Sequence, residues 1–202
     1  MNRKIPSSDN SLKSEPSKEE RVFSKKDLLS HDVRHFDAKS VGSSSEFLQS
    51  LRNTGFQSRN LAECYNVLIS MLRDADRPLI CLGLAGAMIP AGMKKIIRDM
   101  VESHIIDVLV TTGANMYHDL YEAMGNSHYL AQSHVSDTEL RKLKIDRMLD
   151  VYADDEAFVK TDIYIKKFTD KLEPRLYSSR EFLSLLGQSL NDDRSILHTA
   201  RK

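Results

Sequence analysis

The sequence predicts an α/β protein with a parallel sheet of Rossmann-like type and flanking helices. Two apolar segments, LICLGLA at 79–85 and IIDVLVTT at 105–112, have the continuous hydrophobicity of strands that are covered on both faces. About fifteen residues with helical periodicity separate them, which predicts a right-handed βαβ unit with parallel strands. Since a sheet has about five to six strands on average, we expect this sheet to be incomplete and its carboxy-terminal half to be absent.

The amino-terminal residues 1–27 are predicted to form a flexible arm. They are rich in Ser, Lys and Glu, and they contain too little apolar surface to offset the entropy cost of ordering. They also lack the apolar segment of a secretory signal. We therefore expect the folded part of the chain to span 28–202.

Two helices are expected before the first strand. The segment FLQSLRNTG at 47–55 predicts a short helix that ends at Gly55, because glycine is common directly after a helix. Asn60, followed by Glu63, has the N-cap pattern of a second helix that continues to about Asp74.

The helix between the two strands is expected to begin near Pro90, because proline suits the first turn of a helix. Its apolar residues recur with helical spacing and predict the face toward the core: Met93, Ile96, Ile97, Met100 and Val101. Its charged residues are predicted to lie on the other side: Lys94, Lys95, Arg98, Asp99 and Glu102.

Downstream of the second strand, the pattern is mainly helical. Residues 116–124 predict a helix, DRMLDVY at 146–152 predicts a third strand, and 155–172 predict a strongly amphipathic helix. Ser178 and Glu181 have the spacing of a capping box, which opens a helix that continues to about Leu190. A last helical stretch begins with SILHTARK at 195–202.

Composition excludes several function classes. The 29 basic and 29 acidic residues give a formal net charge of zero, so bulk charge does not indicate a nucleic-acid partner. The longest apolar run is far shorter than the ~20 residues of a membrane span. Cys64 and Cys81 have no metal-ligand spacing and are predicted to be reduced, buried thiols. These features indicate a cytoplasmic protein without a membrane partner.

The two strand ends are the places where a ligand is expected. In parallel sheets, ligands bind beyond the carboxyl ends of strands, and here 84–88 and 112–115 supply small residues at helix starts. Backbone N–H groups at such positions bind phosphates. The glycine spacing matches neither a dinucleotide fingerprint nor a Walker loop. A nucleotide-binding turn and a ligand-free tight turn therefore both remain open from the residues alone.

His118 and Asp119 raise a second question, which is whether they form a metal site with His128 and His134. The intervals of ten and six residues differ from the i, i+3 or i, i+4 spacing typical of metal ligands on one element. We therefore predict no metal site and interpret these residues as polar groups of a helix start and a loop. His118 could act as a general base, since an imidazole titrates near neutral pH. His31 and His35 are expected to be structural.

Several segments together resemble the deoxyhypusine synthase family, which includes homospermidine synthases and deoxyhypusine synthase-like proteins. They are TGFQSRN at 54–60, LICLGLAGAMIPAGM at 79–93 and IIDVLVTTGANMYHDL at 105–120. The similarity continues in LRKLKIDRMLDVY, DEAFVKTDIYIKKF and SSREFLSLLGQSLNDDRSIL. It covers about 28–202, which the resemblance identifies as the amino-terminal portion of an NAD-binding domain of this type.

The resemblance implies a transferase that uses NAD as a hydride carrier. Members transfer the aminobutyl group of spermidine, through an imine on an enzyme lysine, to a lysine of a translation factor or to putrescine. This is cofactor chemistry in which the protein supplies positioning and a Schiff-base lysine. The family also implies an oligomer with NAD sites shared between subunits. The resemblance therefore implies three kinds of partner: a polyamine or related amine, a lysine of a translation factor, and further subunits.

The resemblance also implies site residues. The first NAD-contacting segment corresponds to Gly86, Ala87, Met88, Ile89 and Pro90, and the second to Thr112, Gly113 and Ala114, with His118 nearby. Tyr117 and His118 occupy the positions where the eukaryotic enzymes have two glutamates that bind the polyamine. Asp119 matches a family aspartate. Because a phenol and an imidazole cannot replace two carboxylates, the amine substrate is expected to differ from that of the eukaryotic enzymes.

The family's catalytic lysine has no counterpart here, so we predict no catalytic residue within this chain. Lys202 does not lie in the family's glycine-rich catalytic context. Two alternatives follow. Either a carboxy-terminal half is supplied in trans, or the chain is a non-catalytic, degenerate paralogue that binds a full-length family member as a regulatory subunit.

Overall fold

The computed structural model describes residues 24–131 and 135–201, and the chain divides into two compact units at residues 68 and 69. In the first unit, α1 (Lys25–Leu28) and α2 (Ser44–Ser50) precede the beginning of α3 (Phe56–Arg73), which continues into the second unit. Residues 1–23 of the predicted flexible arm lie outside the described residues. Its last residues, 24–27, include the capped start of α1, where Ser24 and Asp27 form a capping box.

The boundaries of the first helices differ from the predicted ones. The short helix α2 ends at Ser50, and a 3-10 turn, Leu51–Asn53, follows it before Gly55. The prediction that Asn60 begins a helix is wrong, because α3 already begins at Phe56. The Asn60 side chain donates to Gln57 Oε1 at 3.2 Å instead of accepting from a backbone N–H. The predicted end near Asp74 is confirmed within one residue.

The second unit contains two small sheets and a group of helices around them. Its strands are β1 (Cys81–Leu84), β2 (Val108–Thr111), β3 (Tyr129–Leu130), β4 (Ile145–Met148) and β5 (Val151–Asp154). Its helices after α3 are α4 (Lys94–Glu102), α5 (Gly113–Ala123), α6 (Asp137–Lys142), α7 (Asp155–Thr169), α8 (Ser179–Gln188) and α9 (Ile196–Thr199).

The predicted parallel strand pair is confirmed. β1 and β2 pair in parallel, with Cys81 opposite Val108 and Leu84 opposite Thr111. The expectation that both faces are covered is wrong in this chain. Leu84 and Leu109 are partly buried against the core, whereas Val108 and Val110 are 37% and 64% exposed. Continuous hydrophobicity predicted two buried faces, but the described residues bury mainly one.

The helix between these strands contains a break that the sequence pattern did not reveal. A wide helical turn, Ile89–Met93, precedes α4, and Gly92 has a positive φ of 84° within it. The predicted faces of α4 are only partly correct, since Ile97 is buried as predicted. Lys94, predicted to face solvent, is only 9% exposed, whereas Ile96, predicted to face the core, is 59% exposed.

The third strand was predicted as one segment and is instead a hairpin. β4 and β5 pair antiparallel, and β3 lies on the other side of β5, which makes a separate three-stranded sheet. The two-residue connection contains Leu149, which has a positive φ of 59° and is 92% exposed. A leucine in this conformation is uncommon, so the sequence carried no turn signal at this point.

The main core lies where α4, α5, α8 and α9 meet. Its buried apolar residues come from these helices and their flanking turns: Ile89, Ile97, Met116, Leu120, Leu186, Leu190, Ile196 and Leu197. A second cluster, Tyr121, Ala153 and Ala157, joins α5 and α7 to β5. The start of α8 was predicted correctly at Ser178, although only half of the capping box forms, because the Glu181 carboxylate binds Arg175.

Cys64 and Cys81 are free thiols, but both are exposed, so the prediction of burial is wrong. Their apolar sequence neighbours were a poor guide, because Cys81 lies on the exposed face of β1. No helix in the described part of the chain is both long and apolar enough to cross a membrane.

Gly187 in α8 is expected to tolerate no larger residue. A Cβ atom there would lie 2.9 Å from the carbonyl carbon of Leu197, which is backbone and cannot move aside easily. We expect Gly187→Ala to lower the free energy of unfolding by about 1–3 kcal/mol, as overpacking in cores does. Urea denaturation measures this change. Gly83→Ala, at a position with nothing within 4 Å of the added atom, is the control, and an equal loss in both variants would contradict the prediction.

Candidate functional site

The structure brings the two predicted ligand-binding turns together at one edge of the parallel sheet. The turn after β1 contains Gly86, with a positive φ of 75°, and the turn after β2 begins with Thr112. Thr112 donates its backbone N–H to the Leu84 carbonyl at 3.2 Å. Since parallel pairing aligns both carboxyl ends, segments 27 residues apart in the chain become neighbours.

Asn115 joins these turns through its side chain and is completely buried. Its Oδ1 accepts from Met88 N at 3.1 Å, and its Nδ2 donates to Thr111 Oγ1 and Thr112 Oγ1, each at 3.3 Å. The amide therefore uses both its acceptor and its donors to connect the two turns. Asn115 fixes the spacing of the segments that were predicted to contact the cofactor.

The start of α5 can hold an anion. Thr112 is the N-cap residue, but its side chain caps no backbone N–H, and its hydroxyl accepts from Asn115 instead. Gly113 and Ala114 are exposed, and the space beside Gly113 is open within 4 Å. Free N–H groups at the positive end of a helix stabilise phosphate. The residues present therefore fit a phosphate-containing ligand.

The remaining residues of the first turn divide into two groups. Gly86 and Ala87 are exposed, whereas Ile89 and Pro90 are buried, and Ile89 belongs to the main core. Met88 is partly exposed. A ligand at this edge would therefore contact the first residues of the segment, while its last two anchor the turn.

Asp119 is a fully buried carboxylate that closes the start of α9. Its Oδ2 accepts from Ser195 Oγ at 2.7 Å and from Leu197 N at 2.9 Å, and its Oδ1 accepts from Ile196 N at 3.1 Å. Lys94 Nζ lies 3.0 Å from Oδ1. The sequence was interpreted to place Asp119 as a polar group of a helix start that matches a family aspartate. Every contact above is internal, so its role is to hold the helices that form the candidate site.

A chain of polar side chains runs from this carboxylate to His118. Lys94 Nζ also lies 3.2 Å from Glu122 Oε2. Glu122 Oε1 lies 2.8 Å from His128 Nδ1, and His128 Nε2 lies 3.1 Å from His118 Nδ1. His118 is half-buried, and its ring also contacts Phe158 at a centroid distance of 5.8 Å. The imidazoles of His118 and His128, ten residues apart in the sequence, are thus in direct contact through their ring nitrogens.

The electrostatic environment favours a charged Glu122 and a neutral His118. Burial opposes ionisation of Glu122, but its contacts with His128 and Lys94 outweigh burial and lower the pKa of the carboxyl. Burial and the neighbouring His128 lower the pKa of His118, against a smaller opposing effect of Glu122. His118 can therefore serve as a neutral hydrogen-bonding group at physiological pH.

Tyr117 is engaged within the protein. Its hydroxyl donates to Asp162 Oδ1 at 2.8 Å and lies 3.0 Å from the Phe158 carbonyl. Burial, followed by the contact with Asp162, raises the pKa of the phenol. Tyr117 thus connects α5 to α7 and stays protonated.

The metal hypothesis gains no support from the described residues. His118 and His128 do meet, but through a direct contact between ring nitrogens, and His134 lies outside the described residues. No group of three or more His, Cys, Asp or Glu in 24–131 and 135–201 is arranged to hold a metal ion.

Comparison with known proteins identifies the family. The family model described as deoxyhypusine synthase matches residues 46–202, which is most of the chain. The chain belongs to the deoxyhypusine synthase family. Among its relatives, "Probable deoxyhypusine synthase 2" of Methanosarcina mazei is 40% identical over 72% of this chain and 42% of its own length. The "Deoxyhypusine synthase-like protein" of Chlorobaculum tepidum is 35% identical over 90% of this chain and 53% of its own.

A solved structure agrees with this assignment at the level of the fold. The crystal structure of an Entamoeba histolytica protein, assigned as a deoxyhypusine synthase, matches 84% of this chain and 58% of its own with a TM-score of 0.58 and 19% identity. The chain spans about half the length of the curated relatives that it matches.

Sequence reasoning missed three residues that shape the candidate site: Lys94, Asn115 and Glu122. Lys94 lies three residues before Ile97 and therefore on the same helical face, which is a signal for a buried lysine. Asp119 and Glu122 have the same spacing on α5. Asn115 had no signal of its own, because the contact that joins the two turns comes from Met88, 27 residues earlier in the chain.

Removing the Asp119 carboxylate is expected to destabilise the protein far more than removing Lys94. Asp119→Ala leaves a buried lysine short of a partner and the start of α9 without its acceptor, which should cost about 3–5 kcal/mol of unfolding free energy. Lys94→Met leaves Asp119 its three donors from α9, so its cost should be much smaller.

Urea denaturation at constant pH compares these two variants. Asp99→Ala, which breaks a surface contact with Lys95 and Arg98, is the matched control and should cost at most about 1 kcal/mol. Equal losses for Asp119→Ala and Lys94→Met would show that the carboxylate is not the central group.

Proposed function

We propose that this protein supplies the amino-terminal half of the site of an NAD-dependent aminobutyl transferase of the deoxyhypusine synthase type. The remaining half, which carries the family's catalytic lysine, comes from further polypeptide, either in the same chain or in a partner. The observation that carries the proposal is the pairing of the two turns by Asn115, because it places both expected cofactor segments at one sheet edge.

In this proposal the start of α5 binds the phosphates of NAD. The N–H groups of Gly113 and Ala114 donate to the anion, and Gly86 allows the first turn to approach closely, because its positive φ of 75° suits glycine. The chemistry that bound NAD would supply is that of a hydride acceptor for the carbon next to a substrate amine. The residues of this chain bind and orient the reactants, and they carry no covalent step.

The amine subsite is proposed to lie at Tyr117 and His118. With the Tyr117 hydroxyl bound to Asp162, His118 is the member of this pair that remains able to contact a substrate. One imidazole cannot match the attraction of two carboxylates for a polycation. We therefore infer an amine donor that presents less positive charge at this point than spermidine does in eukaryotic relatives.

The exposed face of the parallel sheet supports the need for further polypeptide. Val108 and Val110 of β2 and Leu79 before β1 are exposed by 37%, 64% and 69%. Contiguous exposed apolar surface of this kind marks interaction sites. Relatives about twice as long have the chain length for an additional layer here. We propose that this layer comes from the family's remaining half.

Reconstitution tests the function. The chain is co-expressed with a polypeptide that carries the remaining half of the family fold, and the complex is titrated with NAD and assayed for spermidine- or putrescine-dependent transfer. We expect NAD binding and transfer that neither polypeptide shows alone. A complex that forms but binds no NAD would reject the enzyme function and favour the alternative of a regulatory subunit.

Gly113→Asp should weaken NAD binding without harming the fold. A carboxylate at the first position of α5 stabilises the helix by about 0.3–1 kcal/mol, yet it repels phosphate from the same N–H groups. We expect a loss of NAD affinity of about tenfold or more, measured by calorimetry on the complex.

Ser179→Asp is the matched control, because it places the same charge at the exposed first position of α8. It should leave NAD affinity unchanged. If both variants bound NAD equally well, the start of α5 would not be the phosphate site.

A further inference from the structure

The turn between β4 and β5 contains a leucine that neither the backbone nor burial explains. Leu149 has a positive φ of 59°, and its side chain is 92% exposed. Asp150, the second residue of the turn, has no positive φ. Two-residue turns with a positive φ at the first position favour glycine there, because a bulky side chain is strained in this conformation. The folding of this chain alone therefore gives no reason for a leucine at position 149.

The strands below the turn are anchored on the inner side of their sheet. Met148 pairs with Val151 at the base of the turn, and Val151 and Ala153 are buried. Ala153 belongs to the core cluster that contains Tyr121 of α5, and Met148 packs against the same cluster. The exposed Leu149 side chain therefore lies on a turn whose supporting strands are held by the core.

Further apolar surface lies beside the turn, at the end of β3. Ala131 donates its backbone N–H to the Asp150 carbonyl at 2.9 Å, which holds the end of β3 next to the turn. Tyr129 and Leu130, the two residues of β3, are 58% and 77% exposed. Leu149, Leu130 and Tyr129 thus form a group of exposed apolar side chains at one end of the sheet.

The two edge strands of this sheet differ in charge. The strand order is β3-β5-β4, so β3 and β4 form the edges in the described part of the chain. β4 exposes two charged residues, Asp146 and Arg147, and charged side chains protect an edge strand from another chain. β3 contains no charged residue. The β3 side of the turn is therefore the side that is open to another polypeptide.

From these observations we propose that the β4–β5 turn is an interaction site, in which Leu149 enters an apolar pocket on the remaining part of the family fold. Leu130 and Tyr129 contact the same polypeptide beside it. Burial of the leucine side chain in the complex offsets the strain of its backbone. This inference rests on the proposed function for the presence of that polypeptide.

The size of the apolar group and the lengths of the relatives favour this occupant. A stable interface involves roughly 20–30 residues and about 800 Å² on each partner, far more than three side chains supply. This group alone could not hold a second copy of the chain, so it suits a partner that also binds elsewhere. The chain spans about half the length of its curated relatives, which leaves a comparable length of chain to form such a partner.

The first test is the thermal stability of this chain without a partner. Leu149→Asn removes an exposed side chain, and asparagine tolerates a positive φ. We expect the Tm to rise by about 2–4 °C as the strain is relieved. Leu176→Asn is the matched control, because Leu176 is 96% exposed and has no positive φ, and it should not raise the Tm. An unchanged or lower Tm for Leu149→Asn would overturn the proposal.

The second test is association, measured by calorimetry with the part of the Methanosarcina mazei relative that this chain does not match. Leu149→Asn should weaken this association about 10- to 100-fold, the loss expected for one buried leucine. Leu149→Met keeps an apolar side chain and should retain most of the affinity. Leu130→Thr, which preserves strand preference, should weaken binding less than Leu149→Asn. Leu176→Asn should bind like the unmodified chain.

The outcomes separate this inference from the proposed function. Equal affinity of Leu149→Asn and the unmodified chain, with NAD bound by both complexes, would overturn the role of Leu149 and leave the transferase function standing. A complex that Leu149→Asn weakens but that binds no NAD would reject the transferase function alone.

Two further results would overturn the assignment of the occupant. One is failure of the unmodified chain to bind the polypeptide from the relative. The other is self-association of the chain that Leu149→Asn abolishes, measured by analytical ultracentrifugation, which would assign the turn to a second copy instead.

Discussion

The carboxylate of Asp119 is the group on which the arrangement of the second unit depends. It is fully buried on α5, and it binds three donors at the start of α9 and the Lys94 ammonium at the start of α4. A buried charge is tolerated only when its partners compensate the loss of water. These contacts therefore join α4, α5 and α9 at one point.

One helix carries the different parts of the candidate site. The first turn of α5 presents Gly113 and Ala114 to a ligand and uses Asn115 to hold the neighbouring turn. One turn later, Tyr117 and His118 contact α7 and the segment before β3. Asp119 and Glu122 both bind Lys94 at the start of α4. The residues proposed to bind an anion and an amine, and the residues that anchor the helix, are thus fixed relative to each other, because all belong to α5.

Particular residues show how far sequence reasoning reached in the site. The two strand-end segments were predicted and were found side by side, because parallel pairing follows from the apolar strands and the helix between them. His118 and His128 were judged unrelated from their interval of ten residues, yet they are in contact. Spacing rules apply to one regular element, and these residues lie on a helix and on the chain that leaves it. Their meeting depends on how that chain folds back over α5.

The sequence by itself determined the family, the parallel strand pair and the order of the helices, since these depend on local periodicity and on motifs within single segments. Only the tertiary structure decided that Lys94 is buried while Ile96 is exposed, because the partners of Lys94, Asp119 and Glu122, lie on α5. It also decided that DRMLDVY forms a hairpin and that Asp119 anchors α9. Those outcomes depend on partners distant in the chain, and no local pattern encodes the partner of a buried charge.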